Sequence, residues 1–241
     1  FPDSSIRRRN HGYAIDILLE TDPFTNNGIP FNISKLIAGS EGTLMFITEA
    51  TLNLVPLPPS NKALLCAHFY TLEEAIEANL IALKFNPDAI ELIDHHIIEC
   101  TKNNILQRKN RFFIKGEPGA ILIIEFSRES MEEIYDICSA IENEMKKNNL
   151  GYHFPIVTGS DINKVWALRK AGLGVLTNTP GDAKPVSVIE DTSVNPSVLS
   201  GYIKEFKTIL SKYGLDCVFH AHIATGELHL RPVLNLKNPD D

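Results

Sequence analysis

At 241 residues and 44% hydrophobic composition, the chain is long enough for one large or two small globular domains with a buried core. A formal net charge of −7 argues against a nucleic-acid partner or an acidic membrane surface, although basic side chains inside a pocket could still hold an anion. No apolar run approaches the roughly 18–20 residues of a membrane helix and no signal peptide opens the chain. Cys66, Cys100, Cys138 and Cys217 are widely spaced without a C-x-x-C pair, as expected of reduced thiols in a cytoplasmic protein.

The chain begins at Phe1 without an initiator Met and stops soon after Pro232, so it is expected to be a piece of something longer. Residues 1–60 do not read as a self-contained domain. Three arginines precede an Asn-His-Gly turn signal, and a polar loop, Thr21 to Asn32, follows. Next come Gly39-Ser40-Glu41-Gly42-Thr43-Leu44 and a run from Met45 to Val55 that predicts a long, largely buried strand. Two glycines around Ser-Glu can let backbone approach a phosphate or cofactor edge, or can simply form a turn into that strand. Pro56, Pro58 and Pro59 make a stiff linker and set the domain boundary, with residues 1–60 before it and 61–241 after it.

From Asn61 the pattern is strand–helix–strand, repeated. Ala63 to Phe69 is a strand, and Thr71-Leu72-Glu73-Glu74 is a capping box opening a helix to about Phe85. Ala89 to Ile93 is a strand, followed by a helix through Cys100 to about Leu106. Gly119 to Phe126 is the strongest strand, and Ser130-Met131-Glu132-Glu133 repeats the capping box before a helix to about Asn148. A strand at Tyr152 to Val157, a helix at Asp161 to Gly172 and a strand at Val186 to Glu190 come next. Asn195-Pro196 then caps a helix to about Tyr213, and a final strand runs from Leu215 to His222. Capped helices between strands, without a Gly-rich crossover fingerprint, favour an α+β fold with helices on one face of a mainly antiparallel sheet. A doubly wound parallel sheet is the alternative.

The segment V-F-H-A-H-I-A-T-G-E-L-H-L-R-P, Val218 to Pro232, concentrates histidines. His220 and His222 share one face of a strand. His222 and His229 are seven apart, so on one unbroken strand they would face opposite ways. A tight turn at Ala224-Thr225-Gly226 would fold the segment into a hairpin and bring His229 back. Converging imidazoles suit a transition metal, yet the same histidines could be ordinary hairpin residues. Glu227 or Glu190 could add an oxygen ligand.

Several segments together resemble one family. Arg9-Asn10-His11-Gly12-Tyr13-Ala14-Ile15-Asp16, Gly39 to Leu44 with Ile47-Thr48-Glu49-Ala50, and Leu54-Val55-Pro56 resemble the end of the FAD-binding domain of vanillyl-alcohol-oxidase-type flavoproteins. Glu91-Leu92-Ile93-Asp94, Trp166-Ala167-Leu168-Arg169, Glu190-Asp191-Thr192 and the histidine segment resemble the cap domain of its FAD-linked D-2-hydroxyacid dehydrogenases. The resemblance implies oxidation of D-lactate, D-2-hydroxyglutarate or glycolate by hydride transfer to flavin. Electrons would leave to a quinone, a cytochrome or an electron-transfer protein. It implies FAD contacts at Asn10, Gly12, Tyr13, Ser40, Glu41, Gly42 and Ile47. A divalent metal, zinc by type, would sit at His222 and His229, with substrate contacts at Arg169 and Arg231 and His220 in a supporting place.

The general base and a further metal ligand are expected beyond residue 241, the pyrophosphate-binding loop before residue 1, and iron–sulfur clusters in a following domain. The fragment alone is expected to be inactive. The interval His222-Ile-Ala-Thr-Gly-Glu-Leu-His229 lacks the Asp and Asn of the common family motif. A homodimer and a cytoplasmic location, peripheral at the inner membrane, fit the same resemblance. The rival readings are a flavin-independent metal hydrolase and a non-catalytic α+β ligand-binding module.

Overall fold

The computed structural model describes residues 2–8, 12–24 and 27–241. Arg9, Asn10 and His11, and with them the proposed flavin contact of Asn10, lie outside the described residues. The chain divides into two compact units, Phe1–Leu57 and Pro58–Asp241.

In the first unit, α1 (Ile15–Leu19) and α2 (Ser34–Ala38) are single short helices. The Met45–Val55 run is not the buried strand that its composition predicts. It has no regular secondary structure, and Leu54 is 94% and Leu52 79% exposed. β-propensity expresses fit to a pleated surface, and none of the unit's described segments pairs with this run.

The second unit is built on β1 (Asn61–Phe69), β2 (Ala89–Asp94), β3 (Ala120–Arg128), β4 (Ile156–Thr158), β5 (Lys184–Pro185), β6 (Ile189–Ser193), β7 (Cys217–His222) and β8 (Glu227–Leu234). Every pairing is antiparallel, and the order is β4-β1-β3-β2-β7-β8-β5, with β6 also on β8. An α+β fold with an antiparallel sheet covered by helices is what the sequence predicts. The single covered face that the sequence predicts is not found, because helices lie on both faces. On one face Leu65, Leu122 and Ile124 pack against α3 (Leu72–Leu83), α5 (Met131–Lys147) and α8 (Leu199–Lys212). On the other, Leu64, Cys66, Ile121 and Ile123 pack against α4 (His95–Cys100), α6 (Asp161–Lys170) and α7 (Gly172–Thr177). Because β1 and β3 bury both faces, they read as continuous apolar runs rather than as alternating ones.

The predicted N-caps form. Thr71 Oγ1 accepts from Glu74 N at 3.1 Å, Ser130 Oγ accepts from Glu133 N at 3.1 Å, and Asn195 Oδ1 accepts from Ser197 N at 2.9 Å. Three boundaries differ from expectation, each for a local reason. α4 stops at Cys100 because the Thr101 hydroxyl and the Arg111 guanidinium both bond the Ile98 carbonyl, satisfying the helix end. The strand expected from Tyr152 shrinks to β4 plus an isolated bridge at His153, since Pro155 between them has no N–H to donate. The strand expected at Val186–Glu190 is displaced to β6, whose register against β8 shifts between Ile189 and Thr192 where Asp191 takes φ 55°.

Candidate functional site

Along the face that carries α4, α6 and α7, the sheet is apolar at β1 and β3 and becomes polar at β2, β7, β8 and β6. Side-chain alternation sets this. Ile93 and Val218 lie in the apolar cluster on that face, so Glu91 on β2 and His220 and His222 on β7 follow on the same side. The β7–β8 register places His220 opposite His229 and Val218 opposite Arg231, which brings two more polar residues to that face. Residues Ile223–Thr225 form a single tight turn closed by Gly226 at φ 73°. A Cβ at Gly226 would collide with the Val194 carbonyl oxygen, so glycine is required there on two counts. The hairpin thus returns His229 toward His222, with ring centroids 5.2 Å apart, and toward His220 at 5.3 Å.

Each outer histidine is anchored by a carboxylate. His222 Nδ1 lies 2.8 and 3.0 Å from the two oxygens of Glu91, and His229 Nδ1 lies 2.7 Å from Glu190 Oε2 and 3.2 Å from Asp191 Oδ1. A carboxylate only accepts, so Nδ1 is the donor in each pair, and in the neutral imidazole the lone pair is left on Nε2. The same two glutamates hold the two arginines. Arg169, on α6 and 9% exposed, donates Nε and Nη2 to Glu91 Oε2, the former at 3.0 Å. Arg231, 6% exposed, donates Nη1 to Ser187 Oγ at 2.7 Å and pairs through Nη2 with Glu190 Oε1 at 2.7 Å. The result is two arginine–glutamate–histidine relays side by side on one sheet face.

His220 lies between them, 7% exposed. Burial, assisted by Arg169, His229, Arg231 and His222, pulls its pKa down to about 2, so its imidazole is neutral. Its Nε2 has no hydrogen-bond partner among the described residues, and neither does Arg231 Nε. Glu190 Oε1 sits within ion-pair distance of Arg231 without hydrogen-bond alignment. Buried polar atoms left open at one place are what a polar ligand or ion would satisfy. The donor set fits a divalent cation, because imidazoles with Nδ1 held by carboxylates are the usual form of metal-ligating histidine. Oxygen atoms of Glu190 and Asp191 and a nitrogen of His229 also lie within 4.8 Å of one another.

A second group, Asp94, His95 and His96, has a different character. Both His96 nitrogens are engaged, Nδ1 by Asp94 Oδ2 at 3.2 Å and Nε2 by Asp216 Oδ2 at 3.0 Å. Asp94 also accepts from Ile97 N and Phe219 N at 3.3 and 2.7 Å. This is a clamp joining the end of β2, α4 and β7, with no lone pair left on His96.

Of the residues that the sequence nominates, His222, His229, Arg169, Arg231 and His220 come together. Glu190 joins them, and Glu227 is buried opposite His222 in the ladder. Glu91 and Ser187 carry no assigned role in the sequence reading. The signal for Glu91 is a carboxylate in the middle of the otherwise apolar strand A-I-E-L-I, which Asp94 ends. The nominated flavin residues lie in the first unit. Tyr13 Oη bonds Thr43 Oγ1 at 2.7 Å, which ties the Gly12-Tyr13 segment to the Gly39–Thr43 loop. Ser40 is buried, Glu41 takes φ 50°, and Ile47 is 57% exposed. A Cβ placed on Gly12 or Gly42 would meet nothing within 4 Å, so backbone there is open to close approach.

Residues 58–241 match the family described as FAD linked oxidases, C-terminal domain. D-2-hydroxyglutarate dehydrogenase of Haemophilus influenzae is 31% identical over 88% of this chain and 22% of its own length. The same-named protein of Escherichia coli K12 is 27% identical over 90% of this chain and 22% of its length. Glycolate oxidase subunit GlcD of Bacillus subtilis is 26% identical over 88% of this chain and 43% of its length. The chain therefore spans about a fifth of the first two relatives. Among solved structures, alkyldihydroxyacetonephosphate synthase superposes with a TM-score of 0.55 at 19% identity, over 84% of this chain and 42% of that one, a likeness of fold.

Proposed function

The chain belongs to the FAD linked oxidases, C-terminal domain family, and from that premise we propose that it is the substrate-holding part of a flavoprotein oxidising a D-2-hydroxy acid to the 2-oxo acid. Residues 61–241 act as the substrate-binding cap, and residues 1–60 complete an FAD-binding domain through Gly12, Tyr13, Ser40, Glu41, Gly42, Ile47 and Asn10. The observation that carries the reading is the pair of arginine–glutamate–histidine relays on one sheet face. Names of relatives that specify D-2-hydroxyglutarate, glycolate and D-lactate support the substrate class.

The chemistry follows from these groups. A 2-hydroxy acid presents a carboxylate and an adjacent hydroxyl, and its oxidation releases a hydride from C2 and a proton from the hydroxyl oxygen. Flavin supplies the hydride acceptor when bound, and a divalent ion supplies Lewis acidity toward the hydroxyl. His222 and His229 would hold that ion through Nε2, while Glu91 and Glu190 hold their Nδ1 atoms from the other side of each ring. Arg169 and Arg231 are fork-shaped cations suited to a carboxylate, and burial lets them orient it in a site of reduced dielectric. Neutral His220 closes the floor without adding charge. An electron acceptor of the quinone, cytochrome or electron-transfer-protein type takes the electrons onward. No helix of the described residues is long and apolar enough to cross a membrane.

The deciding experiment uses the purified protein that carries this chain. Its visible flavin band is recorded while D-2-hydroxyglutarate, D-lactate and glycolate are added, with and without chelator. Bleaching by a D-2-hydroxy acid that is lost on chelation, and in His222→Ala and His229→Ala, is expected. A flavin-free protein would sink the reading. Bleaching that is indifferent to chelator would remove its metal.

A further inference from the structure

Glu91 sits between two members of the site that the sequence separates widely. One oxygen accepts from Arg169 Nε at 3.0 Å, and the carboxylate as a whole faces His222 Nδ1 at 2.8 and 3.0 Å. Its side chain is 12% exposed, and its partners come from α6 and β7. A solvated imidazole exchanges its proton between the two nitrogens. A carboxylate fixed at Nδ1 ends that exchange and leaves Nε2 as the lone-pair atom. A guanidinium bonded through Nε and one Nη is likewise held in plane, with its remaining N–H groups pointing elsewhere.

We propose that Glu91 is a positioning residue that fixes both halves of the site at once, setting the His222 tautomer for a metal ion and the Arg169 fork for a substrate carboxylate. The inference rests on the metal reading above, but its first test needs neither metal nor turnover. Glu91 is on β2, inside the sheet, and its partner strand β7 is hydrogen-bonded to it in register, so backbone holds the carboxylate in place. The Arg169 helix packs on the same sheet face through Val165 and Leu168, so the approach of Arg169 is fixed from its own side. Glu190 supports His229 and Arg231 in a parallel way, yet it flanks a register shift, at a less regular place than Glu91.

The test uses the purified protein that carries this chain, labelled with ¹⁵N-histidine. In metal-free protein at alkaline pH, the His222 nitrogens are expected to show a protonated Nδ1 and a bare Nε2. In Glu91→Leu/Arg169→Leu, which removes the buried charges as a pair so that the fold persists, His222 is expected to revert to the mixed or Nε2-protonated state. Zinc affinity, read by competition with a chromophoric chelator, is expected to fall about 10- to 100-fold in that variant and in Glu91→Gln. His222→Ala is the control that separates the two ideas. If it leaves zinc affinity unchanged, the metal reading fails. If it abolishes binding while the double-leucine chain keeps both the parent tautomer and the parent affinity, Glu91 is not a positioning residue.

Discussion

Arg231 shows how much of the site depends on one side-chain shape. Its guanidinium spans two acceptors, Ser187 Oγ and Glu190 Oε1, each at 2.7 Å, from a position only 6% exposed. A lysine ammonium at the same place keeps the charge but is a single point and cannot span both. Arg231→Lys is therefore expected to cost about 1–3 kcal/mol in urea unfolding, and in the full protein to raise KM for the hydroxy acid more than it lowers kcat. Unchanged stability together with unchanged KM would place Arg231 outside the site. That Arg169 and Arg231 are candidates for a substrate carboxylate follows from the family resemblance and suits the guanidinium fork. That each is already half-committed to a glutamate is not legible in the sequence, because Glu91 and Glu190 arrive from strands set beside the arginines only by tertiary packing. The distinction matters chemically. An arginine already paired with a glutamate is oriented before substrate arrives, so less rotamer freedom is lost on binding.

At the scale of elements, the β7–β8 hairpin determines whether the histidines meet. Their odd spacing would put His222 and His229 on opposite faces of a straight strand. The turn at Ile223–Thr225, closed by Gly226 at φ 73°, reverses this. Gly226→Ala meets both an unfavourable left-handed φ and the Val194 carbonyl, and is expected to destabilise by more than about 2 kcal/mol. The surviving folded fraction should bind zinc more weakly, since relief of the clash moves β8 relative to β7. Parent-like melting would mean that the turn relaxes elsewhere at little cost. The hairpin and the capping boxes were legible because their determinants lie within a few residues of one another, as with Thr71 and Glu74 or Ser130 and Glu133. Met45–Val55 misled because strand propensity is silent on whether a neighbour exists. The displacement of β6 was hidden for a similar reason, as a bulge at Asp191 is set by the pairing with β8 rather than by its own sequence. The second helical layer is not legible in the apolar runs of β1 and β3, because such a run does not say which elements cover each of its faces.

Over the whole second unit, histidines shifted in opposite directions shape the pH dependence of stability, with burial also lowering His153. Hydrogen bonding to Asp94, against the opposing pull of burial and with help from Asp216, raises His96 to about 9. Burial lowers His68 to about 4, where its Nδ1 faces the Cys66 carbonyl, and lowers His220 to about 2. An unfolded histidine titrates near 6.5. Between about 6.5 and 9 the folded chain holds a proton on His96 that the unfolded chain has lost, so stability falls as pH rises through that window. Between about 6.5 and 4 the unfolded chain takes up protons at His68 and His220 that the folded chain refuses, so stability falls as pH drops. The two limbs meet near neutrality, and each fully developed proton difference changes stability by about 1.4 kcal/mol per pH unit. Trp166, the single tryptophan, lies in this unit with Nε1 bonded to Glu125 Oε2 at 3.1 Å, so its fluorescence follows the unit's unfolding. Urea midpoints taken by that signal in chelator from pH 4.5 to 9.5 are expected to pass through a maximum close to 6.5. His96→Gln should flatten the alkaline limb and leave the acid limb intact, while His68→Gln should leave the alkaline limb intact and make the acid limb shallower without abolishing it, because His220 still refuses its proton. An alkaline limb that survives His96→Gln unchanged would show that the Asp94–His96–Asp216 clamp contributes nothing to the fold.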